Sequence, residues 1–595
     1  MSANTKKKIS SQQSSTSTIV RRNLPVSDEL KSSPLSSILQ KVYANRGVTN
    51  LDQISYKLSD LTDYALLKDI DVASAIVAQA IIKQKRILVV GDFDADGATS
   101  CAVMLRSLRA FGLANVDYLV PNRFDYGYGL SPEIVDVAAD VGAEFKPELI
   151  ITVDNGISSI TGVERATELG IQVVVTDHHL AGNVLPAAAA IVNPNQPGCD
   201  FPEKSIAGVG VAFYLMLAVR AALRDKGWFD GTRQEPNMAK FLDLVALGTV
   251  ADVVPLDTNN RILVESGLQR IRRNKACVGI NALLTIAGKS IEQCSSQDFG
   301  FVIGPRLNAA GRLDDMSIGI ECLLSDDYSV ALQYATTLNQ MNIQRREIEG
   351  EMLEQAMVLL DKQVSLLDDS DQLPDAMALY DEQWHQGVVG LLASRIKEKF
   401  HRPVIAFADA GNDEMKGSGR SIHGLHIRDV LDAISTKYDG IIDKFGGHAM
   451  AAGLTIKKTN FLRFESAFNE QVSLVLRPED LTNVSETDGS MDAEDLTIET
   501  SEQLKYASPW GQLFPEPTFD DEFKVLNWRI VGEKHLKLEL VRTDTGECYS
   551  AIAFNKTDED LPVANDNIHI VYRLDVNDFR GKRNLQLIVQ HIEAA

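Results

Sequence analysis

The sequence predicts an α/β protein that begins with a doubly wound parallel sheet, continues through a long connecting helix into a second α/β domain, and ends in an all-β barrel. Between residues 85 and 255, apolar β-branched runs alternate with helical segments, as in strands joined by crossover helices. A long charged helical segment then covers 326–366. Residues 519–593 show period-two alternation without a strong helical segment, which indicates a small barrel of the OB-fold type.

The parallel sheet is predicted from five short apolar runs. Each run is bounded by polar residues or glycine, as expected for a strand buried on both faces. We expect strands at 86–91, 116–120, 149–153, 171–176 and 189–193, and helices at 98–111, 131–141, 159–169, 206–225 and 238–250.

The chain is too long for one core, so composition is used to divide it. The first 28 residues are predicted to form a disordered tail, with a transit peptide as the alternative, because they are rich in Ser and Thr and basic in character. The other predicted parts are the sheet domain with N-terminal helices at 29–325, the connecting helix and linker at 326–373, the second α/β domain at 374–476, an acidic linker at 477–518 and the barrel at 519–595.

The net charge of −23 argues against long-range attraction to nucleic acid. However, residues 478–522 hold 13 acidic side chains and one basic side chain, so about half of the imbalance is local and a basic binding surface elsewhere remains compatible with the sequence. The six cysteines form no Cys-x-x-Cys pair, which argues against a zinc ribbon and indicates the reducing cytoplasm. No apolar run reaches the roughly 18 residues of a membrane span.

Side chains suited to metal binding follow three of the predicted strands. In chain order they are Asp92, Asp94 and Asp96, then Asp154, then Asp177, His178 and His179. Because the carboxyl ends of parallel strands share one edge of the sheet, these side chains should converge. Carboxylate oxygens suit Mg²⁺ or Mn²⁺, and imidazole favours manganese. The pattern predicts a two-ion centre, about 3.5–4 Å between ions, for phosphodiester hydrolysis.

Parts of this pattern have simpler explanations. The three aspartates followed by glycine look like an EF-hand loop, but the position that needs a bidentate Glu is Val103. Asp154 alone could be a helix N-cap, although beside the other strand ends we expect it to bridge the ions. Asp252, after an apolar helix, could be an ordinary carboxylate of a C-terminal turn. Which of the two adjacent histidines binds metal is left open.

Phosphate recognition needs guanidinium groups and backbone that can approach closely. Two glycine-rich strings and two arginine-bearing segments offer such groups, although each glycine-rich string alone could be a plain turn. The candidates for substrate binding are Arg123, Arg306, Asn308, Arg312, Ser418, Arg420, Gly446, Gly447 and His448. The pair Gly208 and Gly210 before a helix is interpreted as a packing feature.

Taken together, these motifs resemble the RecJ family, single-strand-specific 5′→3′ exodeoxyribonucleases of the DHH phosphoesterase superfamily. The resemblance runs from about residue 30 to the end. The motifs that carry it are Asp-x-Asp-Ala-Asp-Gly, Val-Asp-Asn-Gly, Asp-His-His, Ala-Asp-Val-Val-Pro-Leu, Gly-Pro-Arg-Leu-Asn-Ala-Ala-Gly-Arg and Gly-Gly-His-x-x-Ala-Ala-Gly.

The resemblance implies a DHH catalytic domain, a long helix, a DHH-associated domain and an OB-fold. It implies a manganese or magnesium site at Asp94, Asp96, Asp154, His178 and Asp252, with Asp92 and His179 close by. It also implies a 5′-phosphate pocket and release of nucleoside 5′-monophosphates during recombination and repair. A helicase and a single-strand-binding protein are expected partners by the same route, while the long connecting helix favours a monomer.

Two other functions stay open on the sequence. A small-substrate DHH enzyme would hydrolyse dinucleotides or pyrophosphate, but such relatives are generally shorter and lack the barrel. A non-catalytic scaffold is opposed by the complete set of metal ligands. In the barrel, Trp528 and Phe523 could stack on bases, with core packing as the simpler role.

Overall fold

The computed structural model describes residues 17–122, 126, 129–140, 146–365, 373–532, 534–556, 564–579 and 581–595. The chain divides into two compact units. The parallel-sheet unit comprises Val26–Ile343 and Gln503–Glu516, and the barrel unit comprises residues 17–25, Gln344–Glu502 and Pro517–Ala595.

The first half of the parallel-sheet unit carries the predicted alternation of strands and helices. Strand β1 precedes it in the barrel unit. In chain order the elements are β1 (Ser17–Arg21), α1 (Asp28–Lys31), α2 (Ser37–Ala44), α3 (Ile70–Ile82), β2 (Ile87–Val90), α4 (Ala95–Ala110), β3 (Val116–Leu119), α5 (Pro132–Asp140), β4 (Leu149–Val153), α6 (Ile160–Glu168), β5 (Gln172–Thr176) and β6 (Ala190–Val192).

The five strands β2 to β6 form one parallel sheet in the order β3-β2-β4-β5-β6. Every residue of β2 and β4 is buried, because helices cover both faces. The chain runs from β2 outward to β3 and then returns to the other side of β2, so the direction of winding reverses between β2 and β4. In open α/β sheets the ligand crevice lies outside the carboxyl ends of the strands at such a reversal.

A set of helices completes the parallel-sheet unit. They are α7 (Gly208–Asp225), α8 (Leu242–Ala251), α9 (Thr258–Arg272), α10 (Val278–Ile286), α11 (Ser296–Asp298), a π-helical turn (Phe299–Ile303), α12 (Gly304–Leu313) and α13 (Ser317–Leu324). Helix α8 is apolar on most of its surface and is buried from Leu242 to Thr249, as expected for a helix packed between others. The long helix is confirmed as α14 (Tyr328–Ser365), with 38 residues.

The barrel unit contains the second α/β domain, whose sheet order is β10-β11-β9-β8-β7. Only β7 and β8 pair in parallel. A hydrophobic core that includes Phe407, Phe464 and Phe468 lies between this sheet and its helices. The elements are β7 (Met377–Tyr380), α15 (Val389–Phe400), β8 (Val404–Gly411), β9 (Glu414–Arg420), α16 (Ile427–Lys437), β10 (Lys444–Gly447), β11 (Ala451–Lys457) and α17 (Phe461–Ser473).

Strands β13 to β17 form a closed barrel in the order β13-β14-β15-β17-β16. This is the five-stranded Greek-key closure of an OB-fold, so the predicted barrel is confirmed. Phe523 is fully buried in it and Trp528 is half-buried, so Phe523 is a core residue. The remaining elements are β12 (Asn483–Thr487), α18 (Ile498–Tyr506), β13 (Phe519–Val531), β14 (His535–Arg542), β15 (Cys548–Ala553), β16 (Asn567–Phe579) and β17 (Lys582–Ala594).

Two predicted irregular segments are ordered in the structure. Within the predicted tail of 1–28, β1 pairs in parallel with β12, and Arg21 donates to the buried carboxylate of Asp520 at 2.9 Å. The prediction of a tail is therefore wrong from Ser17 onward, and residues 1–16 lie outside the described residues. The acidic linker at 477–518 is also a wrong prediction, because it forms β12 and α18 and its last part packs into the parallel-sheet unit. The acidic composition of this segment led to the prediction of a linker, although apolar side chains within it are buried.

Among the described residues, no helix combines the length and the apolar character that a membrane crossing requires.

Candidate active site

The loops after β2, β4 and β5 bring the predicted metal ligands to one edge of the parallel sheet. Each side chain offers one oxygen or nitrogen, and in three groups these atoms lie within 4.8 Å of one another. The groups are Asp92, Asp94 and Asp154; Asp154, His178 and His179; and Asp96, His178 and Asp252. Asp154 and His178 each belong to two groups, so they link the cluster.

Asp94 and Asp96 each accept hydrogen bonds from backbone N–H groups at the start of a helix. Asp94 is the N-cap of α4, and its Oδ1 accepts a hydrogen bond from the backbone N–H of Gly97 at 3.0 Å. The carboxylate of Asp96 accepts from the N–H of Gly208 at 2.7 Å and of Val209 at 2.9 Å, in the first turn of α7. Burial and the neighbouring Asp94 outweigh these hydrogen bonds and raise the pKa of Asp96 to about 7.

Asp154 directly follows β4 and adopts a left-handed backbone conformation, with φ of 62°. Such a conformation is uncommon for a residue other than glycine and is often found at functional sites. Its Oδ1 lies 3.1 Å from Nε2 of His178, and the same nitrogen lies 3.6 Å from Oδ2 of Asp252. Burial and the charges of Asp96 and Asp94 hold the pKa of Asp154 and of Asp252 well above the ordinary value.

Asp177 orients the two histidines and is not itself in any of the three groups. Its Oδ1 accepts from the N–H of His178 at 2.7 Å and lies 2.7 Å from Nδ1 of His179, while Oδ2 accepts from the N–H of Ile157 at 2.9 Å. Burial opposes the charged forms, but the hydrogen bond between them lowers the pKa of Asp177 and raises that of His179 to about 9. Because the ionised carboxylate can only accept, Nδ1 of His179 donates to it.

The donor set fits a pair of hard divalent cations. It combines four or more carboxylates with imidazole nitrogen, which is the chemistry of manganese and magnesium sites. Burial, followed by repulsion from the neighbouring carboxylates, raises the pKa of Asp154, Asp96 and Asp252 when no cation lies between them. A bound cation removes that repulsion, so the cluster is electrostatically suited to one.

Two glycines make room for the cluster. A Cβ on Gly208 would lie 2.6 Å from Oδ1 of Asp154, and one on Gly248 would lie 2.9 Å from Oδ1 of Asp96. Gly208 is interpreted from the sequence only as a packing feature, and nothing in the sequence singles out Gly248. The close approach of Gly208 to Asp154 was missed, and its signal was a glycine at the start of a helix that follows the strand ends.

The segment that bears Arg306, Asn308 and Arg312 forms α12. It lies beside residues 92–96, here called the metal loop because they include three of the predicted metal ligands. Oδ1 of Asn308 accepts from the N–H of Ala95 at 2.7 Å, so Asn308 supports the start of α4. Arg306 donates through Nε to Oδ1 of Asn339 at 3.0 Å. Arg312 lies in the last turn of α12 and is half-buried. The remaining arginine that was predicted in this unit, Arg123, lies outside the described residues.

Three family models match separate parts of the chain: the N-terminal domain of the DHH family at 86–249, the DHHA1 domain at 374–474 and the RecJ OB domain at 487–591. The curated single-stranded-DNA-specific exonuclease RecJ of Dickeya dadantii is 52% identical over 577 residues, which cover 97% of this chain and 99% of that protein. The chain belongs to the RecJ family.

Other RecJ proteins are similar over comparable lengths. The single-stranded-DNA-specific exonuclease RecJ of Escherichia coli is 51% identical, over 94% of this chain and 96% of that protein. The crystal structure of Thermus thermophilus RecJ in complex with Mn²⁺ superposes with a TM-score of 0.76 at 28% identity, over 97% of this chain and 80% of that one. The Mg²⁺ complex of the same protein gives a TM-score of 0.71 at 26% identity.

The remaining candidates in this RecJ-family chain lie together in the barrel unit. Ser418 on β9 is in register with Gly453 on β11, which is in register with Gly446 on β10. Gly447 has φ of 141°, and a Cβ there would lie 2.4 Å from the carbonyl oxygen of Ala451, so only glycine fits. The predicted glycine-rich strings are thus neighbouring strands of one sheet.

Arg420 and His448 stand at the same end of that RecJ-family sheet. Arg420 ends β9 opposite Ala451, and the N–H of His448 donates to the carbonyl oxygen of Ala451 at 2.8 Å. A Cβ on Gly390, in the first turn of α15, would lie 2.9 Å from Nη2 of Arg420. Gly390 is a second position that was missed; a glycine among apolar helix residues gave no sign of the arginine packed against it.

Proposed function

We propose that this chain is a metal-dependent exonuclease that degrades single-stranded DNA from the 5′ end to nucleoside 5′-monophosphates, in DNA recombination and repair. The observation that carries the proposal is the cluster of carboxylates and imidazoles from three strand ends and α8. Family membership supports the class of substrate, because the relatives with about half of their residues identical are named single-stranded-DNA-specific exonucleases.

The residues proposed to hold two divalent ions are Asp92, Asp94, Asp96, Asp154, His178 and Asp252. When bound, Mn²⁺ or Mg²⁺ supplies Lewis acidity and lowers the pKa of a coordinated water. Asp154 is proposed as the residue common to both ions, since its carboxylate belongs to two of the three groups. The hydrogen bonds from the start of α7 fix Asp96 so that its orientation does not depend on the ion.

His179 is proposed to contact the scissile phosphate. The hydrogen bond from its Nδ1 to the buried carboxylate of Asp177 fixes the plane of the ring. A hydrogen-bond donor that is held in place before the reaction stabilises charge that develops on a phosphoryl oxygen without reorganisation.

The remaining candidates are proposed to bind the DNA strand and its 5′-phosphate. These residues are Arg123, Arg306, Arg312, Ser418, Arg420, Gly446, Gly447 and His448. Arginine forks and exposed backbone N–H groups are the usual partners of phosphate. Asn308 is assigned instead to support of the metal loop, because its amide oxygen is already used by Ala95.

The setting proposed for this activity is the cytoplasm, with a monomer that acts beside a helicase and a single-strand-binding protein. All six cysteines are free, as in proteins of a reducing compartment. The barrel offers a second surface for single-stranded DNA, as OB-folds do in other proteins.

The test is to incubate the protein with Mn²⁺ and 5′-labelled single-stranded DNA, beside the same oligonucleotide as a blunt duplex. We expect rapid release of labelled mononucleotide from the single strand alone, and no release by Asp154→Ala or in the presence of EDTA. Robust cleavage of the duplex would contradict strand specificity. Intact single strand beside hydrolysed dinucleotide would assign the chain to the small-substrate phosphoesterases.

A further inference from the structure

The segment Gln503–Glu516, here called the clasp, packs into the parallel-sheet unit although its flanks belong to the barrel unit. Its anchors are Trp510 and Phe514, each 2% exposed, whose rings stack at 5.3 Å between centroids. Burial of two large aromatic side chains is a substantial source of stability for so short a segment. The clasp is therefore a part of the parallel-sheet unit that is supplied from far along the chain.

The clasp is bonded directly to the loop that follows Asp252. The N–H of Leu256 donates to the carbonyl oxygen of Gln512 at 2.8 Å. The carbonyl oxygen of Leu256 accepts from Nη1 of Arg261 at 2.7 Å, and the guanidinium of Arg261 lies 4.2 Å from the centroid of the Phe514 ring. The clasp and Arg261 thus bind both backbone polar groups of Leu256, and Arg261 and Phe514 contact each other.

The Asp252 loop has a conformation that needs such support. Val253, the next residue, has φ of 61° and is 64% exposed. A β-branched residue with positive φ is a strained outlier, and such strain persists only when surrounding contacts hold it. The side chain of Val253 is exposed and its N–H donates to the carbonyl oxygen of Val250 at 3.2 Å, while the bond to the clasp lies three residues farther along the loop, at Leu256.

The opposite side of the clasp is fixed to the N-terminal helices and to the region before α12. The hydroxyl of Tyr43 donates to the carbonyl oxygen of Ala507 at 2.8 Å, and Nε of Arg46 donates to that of Pro515 at 2.7 Å. The hydroxyl of Ser296 donates to the carbonyl oxygen of Trp510 at 2.8 Å. These bonds make the clasp a rigid support.

We propose that the clasp positions Asp252 for metal binding, so that the affinity of the catalytic ions depends on a segment about 250 residues farther along the chain. The inference rests on the proposed function, because that function assigns Asp252 as a metal ligand. Gln512 and Phe514 act through Leu256 and Arg261 and touch no reacting group; they are positioning residues.

Gly511 offers a selective way to disturb the contact. A Cβ at Gly511 would lie 2.7 Å from Cδ1 of Leu256, and its backbone φ is not positive, so Gly511→Ala forces the buried Leu256 side chain to move without straining its own backbone. Gly350→Ala is the matched control, because a Cβ there meets nothing within 4 Å and φ is again ordinary. Leu256→Ala combined with Gly511→Ala removes the clashing atoms.

The experiment is titration calorimetry of Mn²⁺ into the metal-free full chain, without DNA. We expect Gly511→Ala to weaken Mn²⁺ binding about tenfold, the scale seen when supports of metal ligands are removed, and Gly350→Ala to leave it unchanged. The double variant should bind more tightly than Gly511→Ala alone. At saturating Mn²⁺, Gly511→Ala should recover most of its kcat with an unchanged KM for single-stranded DNA.

Wild-type Mn²⁺ affinity in folded Gly511→Ala would overturn the proposal. If that variant does not fold, as judged by circular dichroism, Arg261→Lys replaces it: the charge is kept but the planar contact with Phe514 is lost. Unchanged Mn²⁺ binding in Arg261→Lys would overturn the proposal equally. The two proposals fail separately, because a wild-type chain that binds Mn²⁺ but leaves single strands intact contradicts the function alone.

Discussion

At the scale of single residues, the pair Asp177 and His179 is the best-defined electrostatic feature of the site. The carboxylate is fully buried and receives hydrogen bonds from two backbone N–H groups and one imidazole through Oδ1 alone. Such a carboxylate serves to fix the tautomer and orientation of a histidine, a role comparable to that of supports behind metal-binding histidines. Its contribution is therefore to geometry and charge and not to metal coordination.

We expect Asp177→Asn to lower the pKa of His179 from about 9, because the hydrogen bond and charge of Asp177 that oppose the effect of burial are lost, and only the smaller effects of Asp92 and Asp94 remain. In the wild-type metal-free chain, the folded pKa of His179 lies above the unfolded value of about 6.5. Its contribution to stability is thus complete below about pH 6.5 and is lost as the pH rises through about 9. NMR titration of the His179 ring and the melting temperature between pH 6 and pH 10 test this.

The variant should lose the alkaline decline in melting temperature that this histidine causes, and kcat at neutral pH should fall about 10- to 100-fold. An unchanged imidazole titration in Asp177→Asn would contradict the assignment. His179→Gln serves as the control, because it removes the titrating imidazole itself and leaves Asp177 in place.

Gly208 gives a second prediction at this scale. In Gly208→Ala the new methyl group would lie 2.6 Å from Oδ1 of Asp154, so the carboxylate must move. We expect Mn²⁺ affinity to fall about 10- to 100-fold, measured by calorimetry. Gly300→Ala is the control, because its Cβ would meet only Val250 at 3.7 Å. Equal Mn²⁺ affinity in the two variants would show that the close approach at Gly208 has no role.

At the scale of elements, helix α14 depends on a buried ion network in its second half. Glu349 is 7% exposed and pairs with Arg345 on the same helix and with Nε of Arg395 on α15 at 2.7 Å. Arg345 is also buried, so its charge depends on Glu349 for compensation. The network joins this part of α14 to the second α/β domain within the barrel unit.

Glu349→Gln should therefore destabilise the protein by about 3 kcal/mol, because it removes the buried carboxylate that pairs with both Arg345 and Arg395. Glu398→Gln removes the other partner of Arg395, a carboxylate that is about half exposed, and should cost less than about 1 kcal/mol. Urea unfolding followed by tryptophan fluorescence measures both. The interpretation fails if the two variants unfold at the same urea concentration.

At the scale of the whole molecule, the protein carries a net charge of −23, which has the same sign as the charge of a polyanionic substrate. Binding of single-stranded DNA then depends on local arginines, whose contacts release counterions and are weakened by salt. The net charge itself adds repulsion that salt screens. The salt dependence of binding is therefore a measure of how many arginines contact phosphate.

We expect Arg306→Ala to reduce the slope of log Kd against log salt concentration by about 0.7, the value for one phosphate contact on a single strand. The measurement is fluorescence anisotropy with labelled single-stranded DNA in an Asp154→Ala background, which prevents degradation. Arg220→Ala is the control, because Arg220 pairs with Glu235 away from the cluster. An unchanged slope in Arg306→Ala would remove Arg306 from the substrate contacts.

The fold class, the five parallel strands, the long helix, the barrel and the convergence of the predicted metal ligands at one edge of the sheet were all predictable from the sequence. These features follow from local patterns: buried strands require apolar β-branched runs, and a ligand placed after such a strand must reach the shared edge of the sheet. The strand predicted at 149–153 is β4, and the one predicted at 171–176 differs from β5 by one residue.

Only the tertiary structure decided which polar groups face each other across distant parts of the chain. It assigned Asp177 to the histidines, Asn308 to the metal loop and Gly208 to the space beside Asp154. In the structure, the segment that was predicted to be an acidic linker forms β12, α18 and the clasp. The physical reason is that packing partners are chosen in three dimensions, so a few buried aromatic residues outweigh the many exposed acidic residues that dominate the composition.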